Sequence, residues 1–229
     1  MTGIIGAMHI EVETIKALME NKITEKISGV EYVKGTLRGK EIVIAVCGIG
    51  KVAAAMCTQT MILKYAPDCI INTGVGGSLS TALAIGDIAV AESLVQHDMD
   101  TSPLGDPIGL ISGINIVNIP ADEKVINLLS EGIGTLENVK GMRGVIASGD
   151  QFIASEEKKK FITANFGAIV CEMEGASIAQ VCYTNGVPFG VVRAVSDCAD
   201  GSSHMDYGEF LPMAAANAAK LIEYFVENR

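Results

Sequence analysis

The sequence predicts an α/β protein, a single domain in which a central mixed and twisted sheet lies between two layers of helices. Its 229 residues suit one large domain that can bury about 70% of the surface of the unfolded chain. Hydrophobic residues make up 49% and aromatic residues only 5%, with no tryptophan, so the core should be aliphatic, as in a buried parallel or mixed sheet. Strand-like and helix-like segments also alternate along the chain, which implies helices on both faces of the sheet.

The individual strands and helices are predicted from the length and period of the apolar runs. Strands are expected at residues 3–7, 31–37, 41–48, 86–98 and 189–197, and at the start of segments 68–79, 142–153 and 168–186, the first of which runs into a glycine turn. Helices are expected at residues 8–21, 50–67, 121–135, 155–166 and 206–228, and at the end of segment 168–186. Arg38-Gly39-Lys40 predicts a hairpin turn, and residues 99–113, rich in turn formers, predict a surface loop or lid. No linker or repeat divides residues 1–229, so one domain is expected.

The charge and the cysteines limit the classes of partner. A formal net charge of −10 argues against nucleic acid and against an anionic membrane surface, because both need a cationic footprint, and it favours a small molecule or a protein. The six cysteines stand singly in apolar runs, without metal-binding spacing, and are expected to be buried, reduced thiols. No signal-peptide pattern and no apolar run of about 20 residues is present. We therefore expect a soluble cytoplasmic enzyme.

Acidic residues follow three of the predicted strands. Ligands of open α/β sheets bind beyond the carboxyl ends of the strands, so a site is expected there. Glu11 stands on the apolar side of its helix, and Glu174 shares a helical face with Ile178. Asp197 ends a nearly apolar strand. Any one of these acids could be a helix cap or a first-turn acid favoured by the helix dipole. Three acids at one edge of the sheet indicate an active site, because their repulsion and desolvation are costly.

Other motifs carry weaker signals. Gly74-Val75-Gly76-Gly77 could cradle a phosphate in a turn, but it matches no phosphate motif and has no cation, so close backbone approach between sheet and helix is the favoured interpretation. Lys51 is expected in solvent or on a neighbouring carbonyl. His9, His97 and His204 lack ligand spacing and are expected to be surface or hydrogen-bonded histidines. No GxSxG motif is present, so covalent serine chemistry is not indicated.

Several segments, taken in order, resemble those of a known family. They are IIGAMHIEVE, CGIGKVAAA, INTGVGGSL, GDIAVAE, QHDMD, SGDQFI, VCEMEGASIAQVC and VVRAVSDCAD followed by SSHMDYGEFL. In register over essentially the whole chain, they resemble the 5′-methylthioadenosine/S-adenosylhomocysteine nucleosidases of the nucleoside phosphorylase superfamily. The resemblance implies a nucleoside phosphorylase-like fold and a homodimer without cofactor or metal. It also implies hydrolysis of the bond between adenine N9 and ribose C1′ in these two nucleosides, and in 5′-deoxyadenosine.

The resemblance implies roles for individual residues. Asp197, held by Ser196, would protonate adenine N7. Glu11 would activate the attacking water with help from Arg193, and Glu174 would hold the ribose 2′-hydroxyl. The other residues of the implied substrate site are Met8, Ile49, Val75, Gly76, Leu104, Phe152 (stacked on the purine), Ile153 (binding the purine edge through its backbone), Glu172, Met173 (against the sugar) and Tyr207.

Three positions depart from the pattern of the family. Val75 stands where a serine is expected, Leu104 where a phenylalanine often reaches across the dimer, and Tyr207 where a phenylalanine is common. Residues 101–107 are expected to form the loop that reaches the neighbouring site in the dimer. These departures leave the preferred 5′ substituent open, rather than the type of reaction.

Three other functions remain open. A purine nucleoside phosphorylase shares the fold but needs cations to bind phosphate, where this chain offers Glu11 and Val75-Gly76-Gly77. An aminodeoxyfutalosine nucleosidase acts on another adenine nucleoside changed at the 5′ end. A non-catalytic nucleoside sensor would keep the pocket without turnover, but the complete set of Glu11, Glu174 and Asp197 argues against it.

Overall fold

The computed structural model describes residues 1–197 and 203–229, with only the backbone described for residues 203–209. Its strands are β1 (Thr2–Gly6), β2 (Glu20–Ile27), β3 (Val30–Leu37), β4 (Lys40–Val46), β5 (Cys69–Ser78), β6 (Ile88–Gln96), β7 (Ile119–Pro120), β8 (Gly141–Ser148), β9 (Ala168–Glu172) and β10 (Phe189–Asp197). Its helices are α1 (His9–Leu18), α2 (Lys51–Tyr65), α3 (Glu123–Ile133), α4 (Glu156–Phe166), α5 (Gly175–Asn185) and α6 (Ser203–Asn228), with one 3-10 turn at Ser102–Leu104.

The strands form one mixed sheet in which β5 is central. Strands β1, β4, β5 and β10 run in one direction, and β6, β8 and β9 run in the other. The first half of β5 pairs with β1, and its last residues pair with β9. Because β10 also pairs with β5, the strands β5, β10, β6, β8 and β9 close into a ring, from which β1, β4, β3 and β2 extend.

The change of partner along β5 brings three strand ends together. Gly77, near the end of β5, is opposite Cys171 of β9 on one side and Asp197 of β10 on the other. The exit of β1 lies beside β5 through the parallel β1–β5 pairing. The acids that follow β1, β9 and β10 therefore converge, although β9 runs against the other two strands.

Helices cover both faces of the sheet, which confirms the three-layer α/β/α prediction. One aliphatic core packs α1, α3 and α6 on the first face, with Ile15, Leu129 and Phe225 fully buried. A second core packs α2 and α5 on the other face, with Met61 and Ile178 fully buried. Burial of such side chains contributes about 1.5–3 kcal/mol each relative to exposure, so these apolar stripes account for the layering.

The structure corrects three predicted boundaries. The first helix ends at Leu18 rather than at residue 21, because Glu20–Ile27 forms the edge strand β2. This strand is exposed along nearly its whole length and shows no apolar alternation, so the sequence gives no periodic signal for it. The glycines at 74–77 continue strand β5 instead of forming a turn, and α6 begins at Ser203 rather than at residue 206.

The predicted state of the cysteines agrees with the structure where it is described. Five of the six are buried and free, namely Cys47, Cys57, Cys69, Cys171 and Cys182. Cys198 lies outside the described residues. Within the described part of the chain, no helix is long and apolar enough to cross a membrane, and no group of three or more His, Cys, Asp or Glu side chains could hold a metal ion.

The helix caps offer a test of the fold with a matched control. The Asp122 side chain caps α3 by accepting the Val125 N–H at 3.0 Å, whereas the Ser155 side chain makes no such bond at the start of α4. Asp122→Ala should lower the free energy of unfolding by about 1 kcal/mol, because it leaves a helix N–H without its partner. Ser155→Ala should cost clearly less. Urea unfolding measures both, and equal losses would contradict the capping assignment.

Candidate active site

A cavity open to solvent lies where the ends of β1, β5, β9 and β10 meet. Most of the residues predicted from the sequence line it, namely Met8, Glu11, Ile49, Val75, Gly76, Phe152, Ile153, Glu172, Met173, Glu174, Ser196 and Asp197. Its wall also contains four residues that were not predicted, Ala7, Gly77, Gln151 and Cys171. None of these lining residues is a lysine, an arginine or a histidine, so the described wall carries carboxylates without a facing cation.

Glu11 is held by backbone N–H groups from the exit of β1 and from within β5. Its Oε2 accepts the N–H groups of Ala7 at 2.8 Å and Met8 at 2.9 Å, and its Oε1 accepts that of Val75 at 3.0 Å. The carboxylate lies so close to β5 that a Cβ on Gly74 would stand 2.6 Å from Oε1. Burial raises the pKa of Glu11, and the charge of Arg193 and the three N–H groups oppose this only in part.

The close approach at Gly74 belongs to a wider pattern. A Cβ on Gly76 would lie 2.6 Å from Val170, and a Cβ on Gly77 would lie 3.0 Å from the Asp197 carboxylate. The predicted close approach between sheet and helix holds at Gly74, which faces Glu11 of α1, whereas Gly76 and Gly77 face the neighbouring strands β9 and β10. All three lie in a strand rather than in a turn. Side chains at positions 74 and 77 would occupy the space that the carboxylates use.

Glu172 lines the cavity but is fully engaged by the protein. It pairs with the Arg193 guanidinium and accepts the Ser148 hydroxyl. It also accepts the N–H groups of Glu174 at 3.1 Å and Gly175 at 2.7 Å. These donors use the acceptor capacity of its two oxygens, so Glu172 organises the start of α5.

Arg193 is the predicted site residue that lies behind the cavity wall. It is only 1% exposed, and besides Glu172 its guanidinium donates to Asn72 Oδ1 at 2.5 Å and to the Val192 carbonyl at 2.9 Å. Its Nε has no partner among the described residues. The structure therefore places this cation beneath the carboxylates rather than in the lining.

Glu174 stands at the N-cap of α5 and is less fully compensated. Its Oε1 accepts the Gly50 N–H at 2.8 Å. Burial, and then the negative charge of Glu172, raise the pKa of Glu174 to about 7. This carboxyl group therefore gains or loses its proton near neutral pH.

Asp197 ends β10 beside a hydroxyl donor. The Ser196 hydroxyl lies 3.0 Å from Asp197 Oδ1 and 3.5 Å from the Gly76 carbonyl, and both side chains are buried. The arrangement fixes one face of the carboxyl group and directs it into the cavity. A carboxyl group in such a place can act as a proton donor to a bound ligand.

Apolar side chains cover the rest of the cavity. Met8, Met173 and Ile153 line it, while Phe152 and Ile49 remain partly exposed at 48% and 62%. A mostly apolar space of this kind, bounded by a few polar groups, suits an aromatic base joined to a polar sugar.

One predicted site residue, Leu104, lies away from the cavity. It stands on the 3-10 turn in the predicted loop, is 83% exposed and does not line the cavity of its own chain. The predicted role of Tyr207 is not tested, because its side chain lies outside the described residues.

The basic residues also differ from their predicted settings. Lys51 is not free in solvent, because its ammonium pairs with Asp98 at 2.7 Å and also donates to the side-chain carbonyl of Gln96 at 3.0 Å. The His97 ring is buried against Gly149, and its Nε2 has no partner among the described residues. His9 is exposed, as predicted, and the side chain of His204 lies outside the described residues.

The four lining residues missed from the sequence are neighbours of predicted ones. Gln151 precedes Phe152, and Gly77 ends the glycine segment, so both could have been found by extending each motif by one residue. Cys171 comes just before the acidic segment that begins at Glu172, and burial raises the pKa of its thiol to about 12. A buried thiol in an apolar run gave no signal of a site.

The chain is similar to proteins of known family. A family model described as the phosphorylase superfamily matches residues 2–227. The 5′-methylthioadenosine/S-adenosylhomocysteine nucleosidase of Shewanella halifaxensis is 41% identical over 221 residues, which are 96% of each protein. The Neisseria meningitidis nucleosidase of the same name, in complex with methylthio-immucillin-A, superposes with a TM-score of 0.96 at 36% identity, covering 100% of this chain and 99% of that one. The futalosine hydrolase of Helicobacter pylori superposes with a TM-score of 0.94 at 38% identity, covering 100% and 97%.

The matched residues include every strand and helix that reaches the cavity. The chain therefore belongs to the phosphorylase superfamily and, within it, to the family of 5′-methylthioadenosine/S-adenosylhomocysteine nucleosidases. The resemblance seen in the sequence motifs is thereby confirmed over nearly the full length of the chain.

The ionisation of Glu174 predicts how stability changes with pH. Its pKa rises from the ordinary 4.5 to about 7 on folding, so between these values the folded protein keeps a proton that the unfolded chain loses. This residue therefore makes stability fall as pH rises through that window, by an amount on the order of 2 kcal/mol.

Glu174→Gln keeps an oxygen that can accept the Gly50 N–H but cannot ionise. Between about pH 4.5 and pH 7, the free energy of unfolding of the variant should rise relative to that of the wild type. Above pH 7 the difference between the two should stay constant. Urea unfolding across this range measures the difference. Two curves that stay parallel would show that Glu174 keeps an ordinary pKa in the folded protein.

Proposed function

We propose that this chain hydrolyses the N-glycosidic bond of 5′-methylthioadenosine and S-adenosylhomocysteine, and also of 5′-deoxyadenosine, releasing adenine and the 5-substituted ribose. The observation that carries the proposal is the set of three carboxyl groups, Glu11, Glu174 and Asp197, around one mostly apolar cavity without a cation in its described lining. The names and bound ligand of the related nucleosidases support the same activity.

The proposed chemistry follows from the charges that develop as the bond breaks. The ribose becomes positively charged, like an oxocarbenium ion, and the bonding electrons move onto the adenine ring. Carboxylates near the sugar stabilise the first charge, and a proton delivered to N7 neutralises the second. We assign this proton to Asp197, with Ser196 holding the carboxyl group in place.

Water rather than phosphate is the proposed nucleophile. A carboxylate has about four acceptor positions, and Glu11 has given three of them to backbone N–H groups, which leaves room for a water molecule. The raised pKa of Glu11 makes it a better acceptor for the proton of that water. Phosphate would meet this carboxylate without a lining cation to bind it.

The remaining lining residues fit the parts of a nucleoside. We assign Glu174 to the ribose 2′-hydroxyl, Met173 to the sugar, Phe152 to the face of the adenine and the backbone of Ile153 to its edge. Arg193 acts through its neighbours, since its positive charge lowers the pKa values of Glu11 and Glu174 from behind the wall. This activity would serve methionine salvage in the cytoplasm.

An aminodeoxyfutalosine nucleosidase is the second candidate. The Helicobacter pylori futalosine hydrolase is 38% identical and superposes over the whole of this chain. Aminodeoxyfutalosine shares the adenine and ribose that the carboxyl groups would bind, so the two candidate substrates differ in the 5′ substituent. Val75 and Leu104 are the departures that bear on that substituent.

We also propose that two copies of the chain form a homodimer through α2. Val52, Met56 and Leu63 form an exposed apolar stripe at helical spacing on α2, and Ile49, which precedes the helix, is also exposed and lines the cavity. A second copy seated on this stripe would lie next to the cavity, where its residues 101–107, with the exposed Leu104, could complete the space for the 5′ substituent. An apolar stripe of this kind marks an association surface.

Product analysis tests the proposed function. The protein is incubated with 5′-methylthioadenosine with and without phosphate, and the sugar product is identified by mass spectrometry. Free methylthioribose at the same rate in both reactions is expected, because water is the nucleophile. Methylthioribose 1-phosphate, formed only when phosphate is present, would show a phosphorylase instead. Parallel reactions with S-adenosylhomocysteine, 5′-deoxyadenosine and aminodeoxyfutalosine rank the 5′ substituents.

Asp197→Asn is the matched active-site control. It should bind the substrate with similar affinity, since its shape is retained, but lose about 10²–10⁴-fold in rate because an amide cannot deliver the proton. A wild-type protein that binds the nucleoside but does not cleave it would be a nucleoside sensor, and this result would contradict the enzymatic proposal.

The dimer is tested by a charge in the centre of the stripe. Met56→Glu should weaken self-association by roughly a hundredfold, because it buries an unpaired carboxylate in the contact. Sedimentation equilibrium measures the association, and Lys64→Glu on the same helix, away from the stripe, is the control. A wild-type protein that sediments as a monomer would refute the proposed dimer.

A further inference from the structure

An ion pair outside the cavity lining joins the start of α2 to the residue that leaves β6. Lys51 Nζ lies 2.7 Å from Asp98 Oδ1, and the two side chains are only 19% and 16% exposed. The same ammonium donates to Gln96 Oε1 at 3.0 Å. Solvent screens the attraction in such a buried pair less than it does in the exposed pairs of this chain, such as Lys64 with Glu25.

The pair is part of a closed cycle of hydrogen bonds. The other oxygen of Asp98, Oδ2, accepts the Asp150 N–H at 2.9 Å, and Asp150 Oδ1 accepts the Lys51 N–H at 2.7 Å. Each of the three residues therefore holds the other two. The cycle fixes the loop after β8, which continues directly into Phe152 and the rest of that wall of the cavity.

The cycle also reaches Glu174 through one backbone group. Gly50, which precedes Lys51, has a φ of +97° and donates its N–H to Glu174 Oε1 at 2.8 Å. A Cβ on Gly50 would stand 3.0 Å from Asp150 Oδ1, so the backbone here lies tightly against the cycle. On the other side, the Lys51 carbonyl accepts the Ser177 hydroxyl at 2.6 Å.

We propose that Lys51 and Asp98 are positioning residues, whose ion pair holds the Gly50 N–H on Glu174 and so sets how strictly the site requires a ribose 2′-hydroxyl. The geometry of the Gly50–Glu174 bond stands by itself, whereas the link to the 2′-hydroxyl rests on the proposed function. Neither residue contacts the substrate space, since both are absent from the described lining.

A purely electrostatic effect of the pair makes a different prediction. The other charged groups that act on Glu174 are Glu172 and Glu11, which raise its pKa, and Arg193, which lowers it. Asp150 and His97 lie beside the ion pair, and burial lowers the pKa of His97, so its ring is neutral at neutral pH. By charge alone, removing the Lys51 cation would raise the pKa of Glu174, and removing the Asp98 anion would lower it. Loss of the Gly50 hydrogen bond raises that pKa in both cases.

Lys51→Met and Asp98→Asn separate the two explanations. Methionine keeps most of the apolar stem of lysine without its charge. Asparagine keeps the shape of Asp98, but in either orientation its amide group points a donor at the ammonium or at the Asp150 N–H. Lys64→Met, on the exposed side of the same helix, is the matched control.

The first measurement needs no substrate. The carbon-13 carboxyl signal of Glu174, assigned with the Glu174→Gln variant, is titrated by NMR in the wild type and each variant. We expect the pKa of Glu174 to rise by roughly one pH unit in both Lys51→Met and Asp98→Asn, and to stay unchanged in Lys64→Met. A lower pKa in Asp98→Asn, or an unchanged value in both variants, would overturn the positioning role.

The second measurement compares kcat/KM for 5′-methylthioadenosine with that for its 2′-deoxy analogue. In both variants kcat/KM should fall roughly tenfold to a hundredfold with the ribonucleoside and much less with the deoxy analogue. The preference of the enzyme for the ribonucleoside over the deoxy analogue therefore becomes smaller. The double variant should be no worse than the more damaged single variant, because the two residues act as one unit. An equal loss with both substrates would mean a general structural role and would overturn the proposal.

The two variants also guard against misfolding, and thermal unfolding is recorded for each. If Lys51→Met does not fold, Asp98→Asn alone decides, because only positioning raises the Glu174 pKa in that variant. Failure of the wild type to cleave 5′-methylthioadenosine would refute the proposed function, while the titration would still decide whether Lys51 and Asp98 position Glu174.

Discussion

The cost of burying several carboxyl groups around one cavity is the constraint on which the site depends. Glu172 has the most complete compensation, from Arg193, a hydroxyl and two N–H groups. Glu11 accepts three backbone N–H groups, and Glu174 accepts one from Gly50. An uncompensated buried charge costs several kcal/mol, which is why these carboxylates have hydrogen-bond donors. The number of donors differs between the three carboxylates. The group with the fewest of these donors, Glu174, titrates near neutral pH.

This compensation explains the shape of the backbone around the cavity. Backbone N–H groups can reach a carboxylate only where no side chain stands between them. Gly74 gives Glu11 its place against β5, and Gly77 does the same for Asp197. Gly74 and Gly77 therefore leave room for the acids on the neighbouring elements, and the exchange of β1 for β9 as a partner of β5 brings those acids to the same strand.

The fold class and the acids of the site could be predicted from the residues because both leave a one-dimensional trace. Apolar runs of strand and helix length follow one another, and Glu11 and Glu174 interrupt apolar helical faces. Phe152 and Ile153 were assigned to the site only through the family resemblance.

Strand β2 leaves no such trace, because its stability comes from hydrogen bonds to β3 rather than from burial. Arg193 stands in a strand whose residues are all buried, but the sequence does not show that Glu172 stands between it and the cavity.

Lys51 shows a different limit of sequence reasoning. A lysine after a glycine turn usually lies in solvent, and the sequence contains nothing at nearby positions to suggest otherwise. Its partners, Asp98 and Asp150, follow β6 and β8, so they meet it only because the sheet brings those two strand exits beside the start of α2. Such contacts depend on topology, which periodicity does not record.

The closure of five strands into a ring also determines how this molecule meets other molecules. A ring has no free edges, so among the described strands the exposed backbone is mainly that of β2 and of the two-residue β7, which contains Pro120. Strand β2 carries Glu20, Lys22, Glu25 and Lys26 at four of its eight positions, and such charges discourage strand-by-strand addition of another chain. The sheet is thus protected from edge-to-edge aggregation, and apolar contact between copies is left to the helical surface.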